Sequence, residues 1–518
     1  MLRRRSFTTG LTAASALPLP AIAQSVGQQG RKGGDVIVAM TAAPPTLDAM
    51  ATTAAAARNV SMHLFESLYT RDEGANPKPE LAEGVDIAAD GMTYTFKLRG
   101  GVKFHNGKTM TSADAKASME RYAKLGGSKD ALKTVAAFET PNSSTLVLKM
   151  ASIFPGLIEA ISSPRAPFVI VPEEECGKPL GQIGMIGTGP FQFAEYKPDS
   201  HVKMTRFDGY AANTAYQKRD GFTGKKTAYF DSVTIRIITE GGARTAGLQT
   251  GELHVLETLD VAAAKRLKDD KNIKTYTMMP WAFLTLMMNN NWGLTAKPEI
   301  RRAVQAALEV EEIAAIASDG LYRLDPSWQY PGTNYFPGVD GLDAYVKQSQ
   351  AKAKSLLQAA GYNGEELQVI CDSSIKWHID AATVAAEQLR AAGFKVKLNV
   401  MDWPTVNAAR VKPEGWNLWP LAMGIEPYEG PYNVVGFFAG SLPVQIKPDP
   451  VIEDCNRRLA TQLKLEDRKA AVKTFQDRLY EQAIAVKVAD IGVIQATRSN
   501  VMNYEPYRIP RMWDCWFA

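Results

Sequence analysis

The residues best equipped for chemistry lie in the run 416–431, where a strand-like stretch gives way to Glu426, Pro427, Tyr428, Glu429 and Gly430. Two carboxylates beside a phenol suit the capture of an amine or another cation; a solvated acidic loop is the competing reading. Trp281, Trp377 and Trp403 add ring faces, each stacked contact contributing roughly 0.5–1.5 kcal/mol beyond its buried area. Two or three such contacts fall short of the ~8 kcal/mol of a micromolar complex, so hydrogen bonds must supply the remainder. For Trp281, burial in a core is the alternative.

Bond-making chemistry has no comparable footing. Zinc helices, nucleophile elbows, phosphate-cradling loops and dinucleotide fingerprints each need fixed residue types at fixed spacing, and the sequence holds no H-E-x-x-H, G-x-S-x-G, G-x-x-x-x-G-K-[ST] or G-x-G-x-x-G. The five histidines, His63, His105, His201, His254 and His378, are scattered and read as surface or hydrogen-bonded structural groups. Cys176, Cys371, Cys455 and Cys515 form no C-x-x-C pair; an oxidising compartment would permit a bridge, and isolated buried thiols fit equally well. The expectation is binding without catalysis, and without metal or cofactor.

The elements that must position these groups alternate in type. A buried strand is expected over 35–40 and a helix over 62–68. Tyr94, Phe96 and Leu98 alternate with Thr95, Lys97 and Arg99, which predicts a half-buried strand ended by Gly100-Gly101. A second strand over 102–104 and a turn at Asn106-Gly107 follow, and Thr111 to Asp114 supply the N-cap and early acid of a helix reaching about Leu125. Later, 299–317 is helical in composition. Strand 367–371, the helical stripe Ala382, Ala385, Leu389, Ala392 and the alternation Phe394, Val396, Leu398, Val400 together predict an α/β unit with a parallel crossover.

The chain has 518 residues, 45% apolar, enough for about three domain-sized cores. With 59 Lys+Arg against 55 Asp+Glu the net charge is only +4, and no basic stripe favours nucleic acid. Residues 1–23 read as an export leader: Arg3, Arg4 and Arg5, then Ser6-Phe7, a modest apolar run and the small-x-small site Ala21-Ile22-Ala23. The arginine pair points to the twin-arginine route, and losing the leader's three arginines brings the balance to +1. No cysteine follows the cleavage site to accept a lipid. Residues 24–34 are polar and glycine-rich, a flexible lead-in. A periplasmic protein, not lipid-anchored, is expected.

Several runs then carry a resemblance. Leu64-Phe-Glu-Ser-Leu68, Pro79-Glu-Leu-Ala-Glu83, Gly101-Val-Lys-Phe-His-Asn-Gly107, Thr111-Ser-Ala-Asp114, Gly187-Thr-Gly-Pro-Phe191 and Ile300-Arg-Arg-Ala-Val304 are similar to the family 5 solute-binding proteins of ABC importers, the peptide, nickel and opine class. The resemblance implies an α/β, two-lobed periplasmic-binding-protein fold of class II, the large three-subdomain type, with a hinged cleft. It implies a first lobe from 35–69, 187–279 and 489–518, a subdomain inserted over 70–186, and a second lobe over 280–488. The implied role is capture of a small organic solute, peptide-like or amine-bearing, and its delivery to an inner-membrane ABC permease by a monomeric, non-enzymatic receptor. A periplasmic hydrolase with a dispersed active site and a ligand-presenting sensor are the other readings.

Ligand contacts are then expected where segments face the cleft. These are Thr46 and Asp48 after the opening strand, Trp281 and Asn289 along the crossover, Trp377 and Trp403 beside the second-lobe strands, and Trp419, Glu426, Tyr428 and Glu429 in the acidic run. Asn289 falls where the family closes its hinge strand with an asparagine, so a structural role stands beside the contact. Peptide binders of the family carry an acidic Asp-Pro loop in the last stretch. This sequence has Glu426-Pro427 and Glu429-Gly430, whose longer side chains would move the bound cation.

Overall fold

The structure is a computed structural model. It describes residues 30–518 apart from 127–128, 344–346, 425–426, 441 and 446–447. The expected leader, most of the lead-in and Glu426 lie outside the described residues.

An 11-stranded mixed sheet runs through the molecule. On one flank Asp35–Met40 pairs in parallel with both Ser232–Ile237 and Val255–Leu259. Flanked on both sides, it is apolar along most of its length, as a buried parallel strand should be. His201–Arg206 and Phe191–Lys197 extend this flank antiparallel. On the other flank Leu418–Met423, Glu366–Asp372 and Lys395–Met401 lie in order, the last pair parallel around the helix Lys376–Ala391. This is the α/β unit the alternation predicts. Lys395–Met401 closes the sheet edge, which is why Val400 stays 48% exposed despite its place in the apolar set.

Two long strands, Ile273–Met288 and Ala485–Arg498, join the flanks and pair with each other antiparallel. Their register slips where Met278 faces Val493 but Ala282 faces Ile491, so Met279, Pro280 and Trp281 stand opposite Gly492 alone. Pro280 has no amide hydrogen to offer a ladder, and the extra residues form a bulge at the middle of the crossover. Gly492 is needed there: a Cβ would come within 2.9 Å of the Met279 methyl and 3.0 Å of the Met278 carbonyl oxygen.

A separate four-stranded antiparallel sheet takes Ala82–Ile87, Thr93–Leu98, Thr145–Met150 and Val135–Asn142 in that order. The expected strand over 94–99 is its second member. The helix Ser112–Leu125 packs on this sheet, with Thr111 as its N-cap and Asp114 accepting the Thr111 amide at 2.9 Å, as the sequence predicts.

Two expectations need correction, and a third is refined. The first helix is Ala55–Leu64, not 62–68. The Leu64 carbonyl accepts the Gly189 amide at 2.9 Å and Ser67 bridges to Val169, so tertiary pairing ends the helix. No strand covers 102–104 among the described residues; Lys103 forms only an isolated bridge with Thr109 around the Asn106-Gly107 turn. The stretch 299–317 is two helices, Pro298–Ala307 and Val310–Ala317, with the Glu309 amide at the break donating to Gln388 Oε1 at 2.9 Å. All four cysteines are free thiols.

Candidate functional site

The crossover bulge turns main-chain carbonyls toward the C-terminal segment, and Arg508 collects them. Its guanidinium donates to Trp281 O at 2.6 Å, to Pro280 O at 3.3 Å and, on the opposite flank, to Gly424 O at 3.1 Å. Three rings surround it, with centroids 4.7 Å away at Tyr428, 5.4 Å at Trp281 and 5.6 Å at Tyr330. Planar, weakly hydrated guanidinium suits such a cage, where an ammonium would lose more hydration.

Around Arg508 the stretches 71–76 and 159–163 are clasped to the loop after Leu418–Met423 and to the C-terminal segment. Arg71 donates to Glu429 O at 3.0 Å and to Ala75 O at 2.8 Å. The Asp72 carbonyl accepts from both Tyr507, at 2.7 Å, and Tyr428, at 3.4 Å, and the two phenols bond each other. Burial pushes the Tyr428 phenol up to about 12, so it remains a proton donor at any physiological pH. Tyr335 donates to Glu159 Oε1 at 3.0 Å, the Asn334 amide to Asn76 Oδ1 at 3.1 Å, and Ser163 to Glu429 Oε1. Each contact contributes about 1 kcal/mol net, so half a dozen can hold a cleft shut without welding it.

Two cavities lie along this seam. The first, about 250 Å³, is walled by Glu73 to Ala75, by Thr277 to Pro280 of the bulge, by Tyr330 and Tyr428, and by Tyr507 and Arg508. Phe283 packs 4.6 Å from Tyr330 behind the wall, with the buried Lys487 ammonium 3.8 Å from the Phe283 centroid and 3.0 Å from Asp490. The second cavity, about 390 Å³, brings Asp130, Glu159, Ser163 and Arg165 against Glu429 and Tyr432. Three carboxylates against one guanidinium give its wall an acidic balance. Both volumes are of the order of small-molecule sites, at or near ~300 Å³ and above.

Of the residues singled out from sequence, Trp281, Tyr428 and Glu429 meet at this seam. The others that the structure describes lie elsewhere. Asp48, 1% exposed, is bound to Arg121 at 3.1 Å and accepts the amides of Met50 and Gly181, which ties its loop to the segment around 180. Thr46 accepts the Asp48 amide at 3.1 Å in the same loop. Asn289 is fully buried, donating to Pro413 O at 2.9 Å and accepting from the Asn291 amide: it closes the crossover strand and lines neither cavity. Trp419 is 1% exposed in the core with Arg410 4.7 Å above its ring, Trp377 packs on the second-flank core, and Trp403 stands 5.8 Å from His378. His378 itself pairs with Asp372 at 2.6 Å and accepts the Ala422 amide at 3.0 Å, so both ring nitrogens are used in holding the strand.

Arg71, Tyr507 and Arg508 were missed. Arg508 stands among Tyr504, Tyr507, Pro506 and Pro510, a local density of rings and prolines that marks a shaped contact segment.

Comparison with known proteins gives these features a context. Residues 76–442 match the family model described as bacterial extracellular solute-binding proteins, family 5 Middle. The probable peptide ABC transporter periplasmic-binding protein y4tO of Sinorhizobium fredii is 25% identical over 529 residues, covering 99% of this chain and 98% of its own. Two solved structures share the fold. The ABC transporter substrate-binding protein CtaP from Listeria monocytogenes superposes with a TM-score of 0.80 at 19% identity, over 94% of this chain and all of its own. The periplasmic binding protein DppA from Helicobacter pylori, in complex with peptide STSA, gives 0.73 at 19% identity, over 94% and 98%. Among the described residues no helix is long and apolar enough to cross a membrane.

Proposed function

Because the chain belongs to the bacterial extracellular solute-binding proteins, family 5, we propose that it takes a small organic solute, peptide-like or amine-bearing, between its lobes and hands it unchanged to an inner-membrane ABC permease. The observation that carries this reading is the seam itself: two cavities whose walls join segments within 73–165 to the loop after Leu418–Met423, bridged by side chains that bond across it. A solute filling that seam adds contacts to the shut form alone, and so shifts the open and shut populations by its differential affinity. The acidic balance of the larger cavity favours an amine, with Glu429 and Glu159 nearest to it.

Export by the twin-arginine route, a free monomer in the periplasm and the absence of turnover belong to the same proposal. The test is native mass spectrometry of exported protein, followed by scattering with the recovered compound. A stoichiometric solute, returned chemically intact and shrinking the particle on rebinding, is the expected result. Turnover of that compound, or scattering curves unchanged by it, would sink the proposal.

A further inference from the structure

Arg468 stands in the first turn of the helix Leu465–Glu481, 7% exposed, and lines neither of the two cavities. A cation so near a helix start opposes the macrodipole, and a buried guanidinium costs stability unless its donors find acceptors. Among the described residues its hydrogen-bond partners are neutral. Nε donates to the Tyr335 hydroxyl at 3.0 Å, and Nη1 donates to Gln462 O at 2.9 Å and Leu463 O at 2.8 Å.

The Tyr335 hydroxyl decides where the first of these bonds leads. It carries one proton, and a guanidinium has no lone pair to accept it. The proton therefore goes to Glu159 Oε1, 3.0 Å away on an acceptor-only carboxylate. Tyr335, 3% exposed, lines neither cavity, whereas Glu159 stands in the wall of the larger one beside Tyr432, whose hydroxyl lies 3.4 Å from that of Tyr335. The bonds thus run one way, from guanidinium to phenol to carboxylate, with a full charge at each end, an order in which each bond polarises the next.

Glu159 depends on such support. Its helix, Leu157–Ile161, is only five residues long, and a glutamate side chain left free there would sample many rotamers. Arg71 fixes the main chain by donating to Glu159 O, and Tyr335 fixes the carboxylate through Oε1. Among the described residues no donor reaches Oε2, so that oxygen is left for an occupant of the larger cavity.

We propose that Arg468 is a positioning residue for solute selection: acting through Tyr335, it holds the Glu159 carboxylate in the cavity wall, ready for a cationic group of the occupant. The inference rests on the receptor reading above and deepens it, since it names a residue outside the cavity that sets how strongly the cavity prefers a cation. The same guanidinium has a second task. Its bonds to Gln462 O and Leu463 O hold the turn whose Leu463 side chain packs on Gly91, where a Cβ would come within 2.7 Å.

The test separates the two tasks. It uses the full mature chain, Arg468→Met, Tyr335→Phe and the double variant, with dipeptides and amino-acid amides as probes, each beside its des-amino analogue. Calorimetry gives the ratio of the two affinities. The wild type should prefer the amines, and each single variant should cut that preference about 10-fold, as loss of one charge-assisted hydrogen bond does. The double variant should cut it no further, because both substitutions break the same chain of bonds. A role confined to the turn would weaken amine and analogue together and leave their ratio unchanged. An unchanged ratio in either single variant, or a further fall in the double variant, would overturn the positioning role and leave the receptor reading standing. A wild type that holds amines and analogues equally, or holds none of the probes, counts against the amine capture of that reading as well.

Discussion

The guanidinium of Arg508 lies 4.7 Å from the ring of Tyr428, and at this point the C-terminal segment grips the loop that follows Leu418–Met423. The same group donates to Trp281 O in the bulge and to Gly424 O beyond Leu418–Met423, so it is bonded to the crossover and to the far flank at once. Arg508→Met should remove charge-assisted bonds worth about 1.5–3 kcal/mol and leave three carbonyls without donors. The bond to Gly424 joins the C-terminal segment to the loop after Leu418–Met423, so its loss should fall mostly on the form in which the two are together. Binding of any solute should weaken by roughly 10- to 100-fold with a smaller fall in unfolding midpoint. Arg508→Lys should not restore it, since a point charge cannot serve three carbonyls and three rings together. Recovery by lysine would show that charge alone matters.

A second prediction concerns pH. Lys226 is buried between two carboxylates, 3.4 Å from Glu66 and in contact with Glu80, so one negative charge is in excess. Burial, with Glu66 adding to it against the pull of Lys226, pushes Glu80 up to about 7. A folded carboxyl that holds its proton more tightly than the unfolded one, near 4.5, gives stability that is full below 4.5 and lost as pH rises toward 7. The loss attributable to this group is on the order of 2–3 kcal/mol between pH 4.5 and 8. In Glu80→Gln that component should vanish. Urea unfolding of both proteins at pH 5 and pH 8 checks it, and equal pH slopes would refute it. Asp514, raised by burial to about 6, adds a slope of the same sign that both proteins share.

What sequence could and could not announce follows from the range of the interactions. The unit Glu366–Asp372, Lys376–Ala391, Lys395–Met401 was legible because periods of 3.6 and 2 are local, and the Thr111 to Asp114 cap because its partners are three residues apart. Tyr428 and Glu429 could be singled out because acids and a phenol cluster within one loop. Arg508 was not, since its carbonyl partners stand 84 and 227 residues away. The misplaced emphasis on Asp48 has the same origin: an acid after a strand looks available until a distant guanidinium folds onto it. The helical composition over 299–317 could be read, but not the break in it, where a side chain from another helix, Gln388, serves the Glu309 amide.

Asp48 therefore supplies a contrast between stability and recognition. Its carboxylate and the Arg121 guanidinium are both essentially without solvent contact. Asp48→Ala strands that guanidinium, which the carbonyls of Lys178 and Pro179 only partly satisfy, and breaking a buried pair from one side costs about 3–5 kcal/mol. The unfolding midpoint should fall accordingly while solute affinity of the folded protein stays within about threefold. A large affinity loss at unchanged stability would return Asp48 to the cleft.

The bulge offers the last test, at a residue that lines neither cavity. Gly492 is the single residue opposite Met279, Pro280 and Trp281, and the space for a Cβ is already occupied to 2.9–3.0 Å by the Met279 methyl, Leu321 and the Met278 carbonyl. The methionine end can swing aside, but the carbonyl belongs to the backbone of the crossover strand. Gly492→Ala should thus push the bulge outward, at a cost of about 1–3 kcal/mol for overpacking. Because the bulge carries the two carbonyls that Arg508 holds, that displacement strains the clasp more than it strains either flank. The expected signature is a particle more expanded without solute, weaker binding and an unfolding transition that stays cooperative. Should Gly492→Ala leave both scattering and affinity unchanged, the bulge is only a seam between strands and the lobes pivot somewhere else.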